Sequence, residues 1–272
     1  MKTIFKAVTA AAAIAATSFI SWSCHKDDGG YDMSYYFPSA VVTVKPLDAE
    51  GSSFYMQLDD KTTLKPVNIT KSPYKEKEVR AFVNYNYTND DSGEYDYAVS
   101  INWIDSLLTK QMAPNDVEDI DKTYGTDPVE ILRGWTVVED GYFTIDFATK
   151  TAGYGGKHWV NLVYTGDPKA AEDSEKYVVE FKHDADGDNY GTLAEGFAAF
   201  RLDGTYGLPD TGGETVKLTL KWNSYSGPKS ATFNYCTRGS GASGDTGDGS
   251  GEGDLNEGGS SEPGQEAKLN LI

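Results

Sequence analysis

Apolar and polar side chains alternate with a period of two from Ser39 onward, and no stretch of this region carries a helical period. Val41, Val42 and Val44 begin the first predicted strand, and Phe54, Met56 and Leu58 alternate in the second. Asp59-Asp60-Lys61 marks a turn before Leu64 and Val67. The clearest pair follows. Val79, Ala81, Val83, Tyr85 and Tyr87 share one face of a strand, and Tyr95, Tyr97, Val99, Ile101 and Trp103 share one face of the next, with an Asn-, Asp- and Gly-containing loop between them. Five strands within residues 39–113 predict a small barrel.

Residues 114–128 break the alternation with Pro114, Pro128 and five acidic side chains, and read as a linker carrying at most a turn of helix. Strand patterns resume at residues 135–138, 142–147, 159–164, 177–182, 197–202, 216–222 and 231–235. Turn-rich segments such as Glu139-Asp140-Gly141 and Gly166-Asp167-Pro168 separate them. Seven short strands at this spacing predict a seven-stranded β-sandwich over residues 129–238. Residues 239–272 begin as an almost pure run of Gly, Ser, Asp and Glu. Such a run buries too little apolar surface to offset its ordering entropy, so a disordered acidic tail is expected, with Lys268-Leu269-Asn270-Leu271-Ile272 its only part able to dock.

The N-terminal end changes the picture from fold to location. Lys2 and Lys6 precede a 14-residue run of small and apolar side chains at residues 7–20, and Ser21 and Ser23 are the small residues a signal peptidase needs, so residues 1–23 read as a signal peptide. The run is shorter than the ~20 residues that span a bilayer as a helix. Cys24 then stands first in the mature chain, and the residues before it resemble a bacterial lipobox, with Ser21 where leucine is most common. The lipobox reading makes Cys24 a lipidation site and residues 24–38 a lipidated tether, with two or three acyl chains giving stable attachment. Lys26-Asp27-Asp28 resembles the surface-export signal of lipoproteins in Gram-negative gut and oral anaerobes, which places the protein on the outer membrane facing outward. The alternative is a solvated tether on a periplasm-facing protein.

Charge narrows the partners. The chain carries a formal net charge of −18, and cleavage before Cys24 removes two of its 24 basic residues, leaving −20. So acidic a surface repels phosphate backbones, which argues against a nucleic-acid partner. Of the two cysteines, lipid takes Cys24, so Cys236 has no intrachain disulfide partner and reads as a half-exposed thiol on an alternating strand.

Three stretches then carry a resemblance to a family: residues 97–110, residues 140–145 with 157–163, and Glu180-Phe181-Lys182-His183-Asp184 leading to Ala198-Ala199-Phe200-Arg201-Leu202-Asp203. Over roughly residues 20–236 the chain is similar to the NigD-like lipoproteins. The resemblance implies an OB-type barrel followed by a β-sandwich behind a lipobox, in a bacteriocin-associated context. It implies no catalytic residues.

Candidate chemistry is sparse. Asp184, Asp186, Asp188 and Glu195 stand at positions 1, 3, 5 and 12 of a calcium-loop pattern, but Asn189 replaces its glycine and strands flank it. A weak, non-EF calcium site competes there with a plain acidic turn. Gly239-Ser240-Gly241-Ala242-Ser243-Gly244 matches a dinucleotide string without the strand and helix that would make it work. His25, His158 and His183 show no metal or triad spacing, and His158 beside Trp159 reads as a strand-surface residue. Tyr85, Tyr87, Tyr95 and Tyr97 would gather at one hairpin end as a platform for a glycan or other ligand, the alternative being a barrel core with hydroxyls at its rim. Asp105-Ser106-Leu107 resembles a short O-glycosylation signal at Ser106. These features point to a non-enzymatic, membrane-held binding or accessory module for a protein, peptide or glycan. A structural surface component is the alternative.

Overall fold

The computed structural model describes residues 36–153, 155–239, 252, 253, 255 and 269–272. The signal peptide, Ser23, Cys24 and most of the tether lie outside the described residues, as does most of the acidic tail. Strands β1 (Ala40–Pro46), β2 (Phe54–Gln57), β3 (Thr63–Pro66), β4 (Val79–Tyr87) and β5 (Tyr97–Ser106) close into a barrel in the order β1-β2-β3-β5-β4. Val42, Val44, Met56, Leu64, Val83 and Val99 are fully buried inside it. Burying each such side chain contributes roughly 1.5–3 kcal/mol, which is why alternation alone located these strands.

One irregularity in the barrel changes which residues face its interior. Asn84 pairs with Trp103 while Tyr85 pairs with Ile101, leaving Asn102 as an extra residue in β5. A one-residue bulge reverses the facing of everything beyond it. Ile104 therefore packs on the barrel core, and Trp103 leaves the face predicted for it.

The second half is a two-sheet sandwich. β6 (Leu108–Gln111), β7 (Glu130–Glu139), β8 (Tyr142–Thr151) and β11 (Thr192–Arg201) form one sheet in the order β6-β11-β8-β7. β9 (Lys157–Tyr164), β10 (Val178–Asp184), β12 (Val216–Ser224) and β13 (Gly227–Tyr235) form the middle of the other, in the order β13-β12-β10-β9. All seven strands expected of the sandwich are present. Leu108–Gln111, assigned by sequence to the barrel, is instead an edge strand of the sandwich, paired parallel with β11. The segment expected to be a linker is also fastened to the sandwich. Ala113 bridges Val163, Asp127 N–H donates to His183 O, and α1 (Ile120–Tyr124) is capped by Asp119.

Two tail segments complete the second sheet. β14 (Glu252–Gly253) pairs with β13, and β15 (Asn270–Leu271) pairs in parallel with β9. Leu255 is buried in the sandwich core, and Leu269 and Leu271 pack against it. The segment singled out as able to dock does so, and Leu255 docks as well.

Barrel and sandwich meet through buried charge. Asp140 and Gly141 have φ of 50° and 74°, the left-handed pair that a two-residue β7–β8 hairpin needs. The Asp140 carboxylate at that tip accepts from Lys45 Nζ at 2.7 Å and lies 3.3 Å from Arg238 Nε, while its own N–H donates to Asp60 of the barrel. Arg80 is wholly buried and donates to Thr43, Thr144 and Glu139. Glu78 is held by two Arg238 nitrogens and by the Tyr142 hydroxyl.

Candidate functional site

Two places combine chemistry with access. The first is the end of the β4–β5 hairpin. Tyr87 is the last residue of β4 and Tyr97 the first of β5, and their rings meet edge to face at 5.2 Å. Tyr85 packs edge to face on Tyr87 at 5.3 Å, with the hydroxyls 3.3 Å apart. Burial, and then the bond to Tyr87, raise the Tyr85 phenol above its ordinary range. Tyr85 is anchored in the barrel core, while Tyr87 and Tyr97 remain 58% and 50% exposed. The structure thus brings three of the four predicted tyrosines together. Tyr95 goes elsewhere and stacks on Tyr55 at 5.2 Å, because it sits in the loop before β5 begins.

The loop between these tyrosines joins strands 4 and 5 of the barrel. It is tied down by Gly93 N–H to Asp91 Oδ1, Lys65 Nζ to Asp91 O, and Thr63 to the Asp96 carboxylate. Asp90, Asp91 and Glu94 are exposed on this loop. In OB-type barrels this loop belongs to the ligand-binding face.

The second place lies in the sandwich, where β10 runs parallel to β12 near α1. A cavity of about 600 Å³ opens there, lined by Phe181, His183, Trp222 and Asn223, with Lys182, Lys221 and Lys229 also lining it. Two of those cations are already neutralised. Lys182 lies 2.7 Å from both Asp121 and Glu180, and Lys229 lies 3.4 Å from Glu130.

Behind this cavity stands a relay the sequence did not reveal. His158 Nδ1 and His183 Nε2 are 2.9 Å apart, and His158 Nε2 is 3.4 Å from Asp188 Oδ2. Both imidazoles are 1% exposed, so His158 is not the surface residue predicted. The pairing of β9 with β10 brings the two histidines together from positions 25 apart in sequence. Burial, then His158, lower His183 to about 4, so it is neutral at pH 7. Asp188 is held below the usual carboxylate range, first by Thr151 and the Ala152 N–H, so it only accepts. His158 therefore donates to Asp188 through Nε2, and His183 Nδ1 is left buried without a hydrogen-bond partner. Among the described residues no hydroxyl or thiol is hydrogen-bonded to that nitrogen.

Of the calcium-loop residues, Asp184, Asp186 and Asp188 share one turn while Glu195 sits on a strand. Asp188 serves His158 and Thr151, and the Asp184 carboxylate accepts the Asp186 N–H. Glu195 lies on β11 beside Asp146. Among the described residues no group of three or more metal-ligating side chains converges. Asp146 was not singled out by sequence, yet burial, and then Glu195, push its carboxyl up to about 8. Its Oδ2 accepts the Trp135 N–H and holds a β7 bulge that brings Trp135 against Phe82 of the barrel. Ser106 is exposed at the end of β5, and Cys236 is half-buried near Thr211, as its strand face predicts.

Comparison with known proteins agrees with this architecture. Residues 41–107 match the model of the NigD-like N-terminal OB domain, and residues 111–235 match that of the NigD-like C-terminal β-sandwich domain. A solved structure described as a toxin-related protein of Parabacteroides distasonis is 33% identical, with a TM-score of 0.58 over 73% of this chain and 92% of that one. A protein of unknown function from Bacteroides vulgatus is 20% identical, with a TM-score of 0.53 over 76% and 95% of the two chains. A NigD-like immunity protein of Bacteroides caccae is 22% identical, with a TM-score of 0.50 over 72% and 96%. Among curated proteins nothing matches.

Proposed function

The chain belongs to the NigD-like family, and from that premise we propose that it is a non-catalytic binding module of the cell envelope whose ligand is an oligosaccharide held at the tyrosine rim of the barrel. One observation carries the reading: two half-exposed tyrosine rings, braced by a third anchored in the core, flank an exposed acidic loop. Tyrosine faces stack on the C–H faces of sugars, and exposed carboxylate oxygens accept from sugar hydroxyls. The same carboxylates repel a phosphate backbone, which separates this barrel from OB domains that bind nucleic acid. Lipid on Cys24 would hold the module at the outer membrane, facing outward.

A glycan array followed by titration calorimetry tests the site. Tyr87→Ala and Tyr97→Ala each weaken binding of the selected glycan by about 1 kcal/mol or more, roughly fivefold or beyond. A blank array, or affinity unchanged by both substitutions, removes the reading. Anchoring is tested separately: Cys24→Ala loses a palmitate-analogue label and releases the chain from the membrane fraction.

A further inference from the structure

We propose that the cavity over the outer face of β10 and β12 is a second binding site, separate from the tyrosine rim, and that it takes a zwitterionic α-amino acid. Alternation puts Glu180, Lys182, Lys221 and Asn223 on that outer face, while Phe181 and Trp222 are buried in the sandwich core. Residues 125–127 form a wall over this floor, and it is fastened there. Asn223 Nδ2 donates to Thr126 O at 2.6 Å, and Asp127 N–H donates to His183 O at 2.9 Å. Gly125, at φ 83°, lets the wall come this close, because a Cβ there would stand 2.5 Å from His183 O. The cavity of about 600 Å³ is thus already formed, and its size suits a small molecule.

The charges on this floor are arranged as a dipole. Lys182 Nζ is shared by Asp121 Oδ1 and Glu180 Oε2, each at 2.7 Å, so that corner carries one negative charge in excess. The other oxygen of each carboxylate keeps its capacity to accept. Lys221 is the opposite pole. It stands in register with Glu180 on one side and Ser230 on the other, and among the described residues it is the cavity lysine that makes no ion pair. Neighbouring strands lie ~4.8 Å apart, so the negative and positive poles are adjacent. A simple anion would meet the excess carboxylate, and a simple cation would meet Lys221. A molecule carrying an ammonium and a carboxylate on one carbon satisfies both, with its ammonium toward Glu180 and Asp121 and its carboxylate on Lys221. Having no net charge, it also escapes the repulsion that a chain of net charge −18 exerts on anions.

The test screens the full chain against the standard L-α-amino acids by saturation-transfer NMR and carries the strongest binder into titration calorimetry beside its N-acetyl and methyl ester derivatives. The expected result is saturable 1:1 binding that either blocking group weakens at least tenfold. Lys221→Gln weakens the amino acid at least tenfold and leaves the methyl ester unchanged, a split that a merely structural role would not produce. Glu180→Gln does the same for the N-acetyl derivative. If that variant does not fold by circular dichroism, Asp121→Asn replaces it, since Asp121 is 62% exposed on α1. Absence of saturable binding by every amino acid, equal affinity for the blocked derivatives, or unchanged binding by Lys221→Gln overturns the proposal.

Discussion

Replacing His183 by glutamine and, separately, Asp146 by asparagine isolates two buried groups whose effects on stability oppose each other. His183 titrates near 4 in the fold against an ordinary 6.5, with burial as the leading cause. The unfolded chain therefore takes up the proton first, so this contribution is complete above 6.5 and is lost as pH falls toward 4. Asp146 behaves the other way. Its carboxyl titrates near 8 in the fold against an ordinary 3.8, so its contribution is complete below 3.8 and is lost as pH rises through 8. Each effect has a slope of up to ~1.4 kcal/mol per pH unit. Between pH 4 and 6.5 the two slopes cancel. Glutamine at 183 keeps a donor toward His158 but cannot titrate, so the variant gains roughly 3 kcal/mol on the parent as pH falls from 6.5 to 4. The Asp146→Asn variant gains a similar amount on the parent as pH rises over the same interval. Urea unfolding followed by tryptophan fluorescence at pH 4, 5, 6 and 6.5 measures both. Stability differences that stay constant with pH would refute the assignment of these protons.

Other outcomes follow from the buried contacts. Lys45→Met takes the ammonium from the Asp140 carboxylate, 6% exposed, and costs about 1.5–3 kcal/mol because Arg238 Nε stays 3.3 Å away, while the double variant with Asp140→Asn recovers part of the loss in a urea-melt cycle. Gly141→Ala costs ~1–3 kcal/mol in thermal melts, because its φ of 74° is strained for alanine and the new Cβ would stand 2.9 Å from Arg238 Cβ. Leu255→Ala costs ~2 kcal/mol or more despite its place in a Gly- and Asp-rich tail, since it is part of the sandwich core. An unchanged melting temperature for that variant would show the tail to be unattached.

Strands were legible wherever one face is buried and the other wet. β12 is the plainest case: Val216, Leu218, Leu220 and Trp222 are buried and alternate with Lys217, Thr219, Lys221 and Asn223. The Asp140-Gly141 turn was legible for the same local reason. What pairing creates was not. The β5 bulge shifts facing by one residue, so Trp103 could not be placed from alternation. β6 shows no alternation of burial because it is an edge strand, and only its register with β11 assigns it to the sandwich. Arg80, Lys45, Asp140 and Asp146 are charged side chains whose burial depends on partners far away in sequence, and composition places such residues outside. The tyrosine rim was legible because hairpin neighbours are neighbours in sequence. The His158–His183 contact crosses two strands and needed the register.

The buried charges also fix how the barrel is held against the sandwich. Two domains joined by a flexible segment move by default, because contacts within a chain are commonly small and polar. Here only Leu107 separates β5 from β6, and its N–H donates to Arg80 O, the backbone of the same residue whose guanidinium is buried between Thr43 and Thr144. Any hinge at this point would expose Arg80, Lys45 and Asp140 together and separate charges that are poorly hydrated in the fold. Phe82, set between Trp135 and Phe197 at 5.2 and 4.9 Å, adds an apolar contact to the same junction. The tyrosine rim is therefore carried on a fixed body, and the ligand proposed for it would bear no cost of ordering one domain against the other.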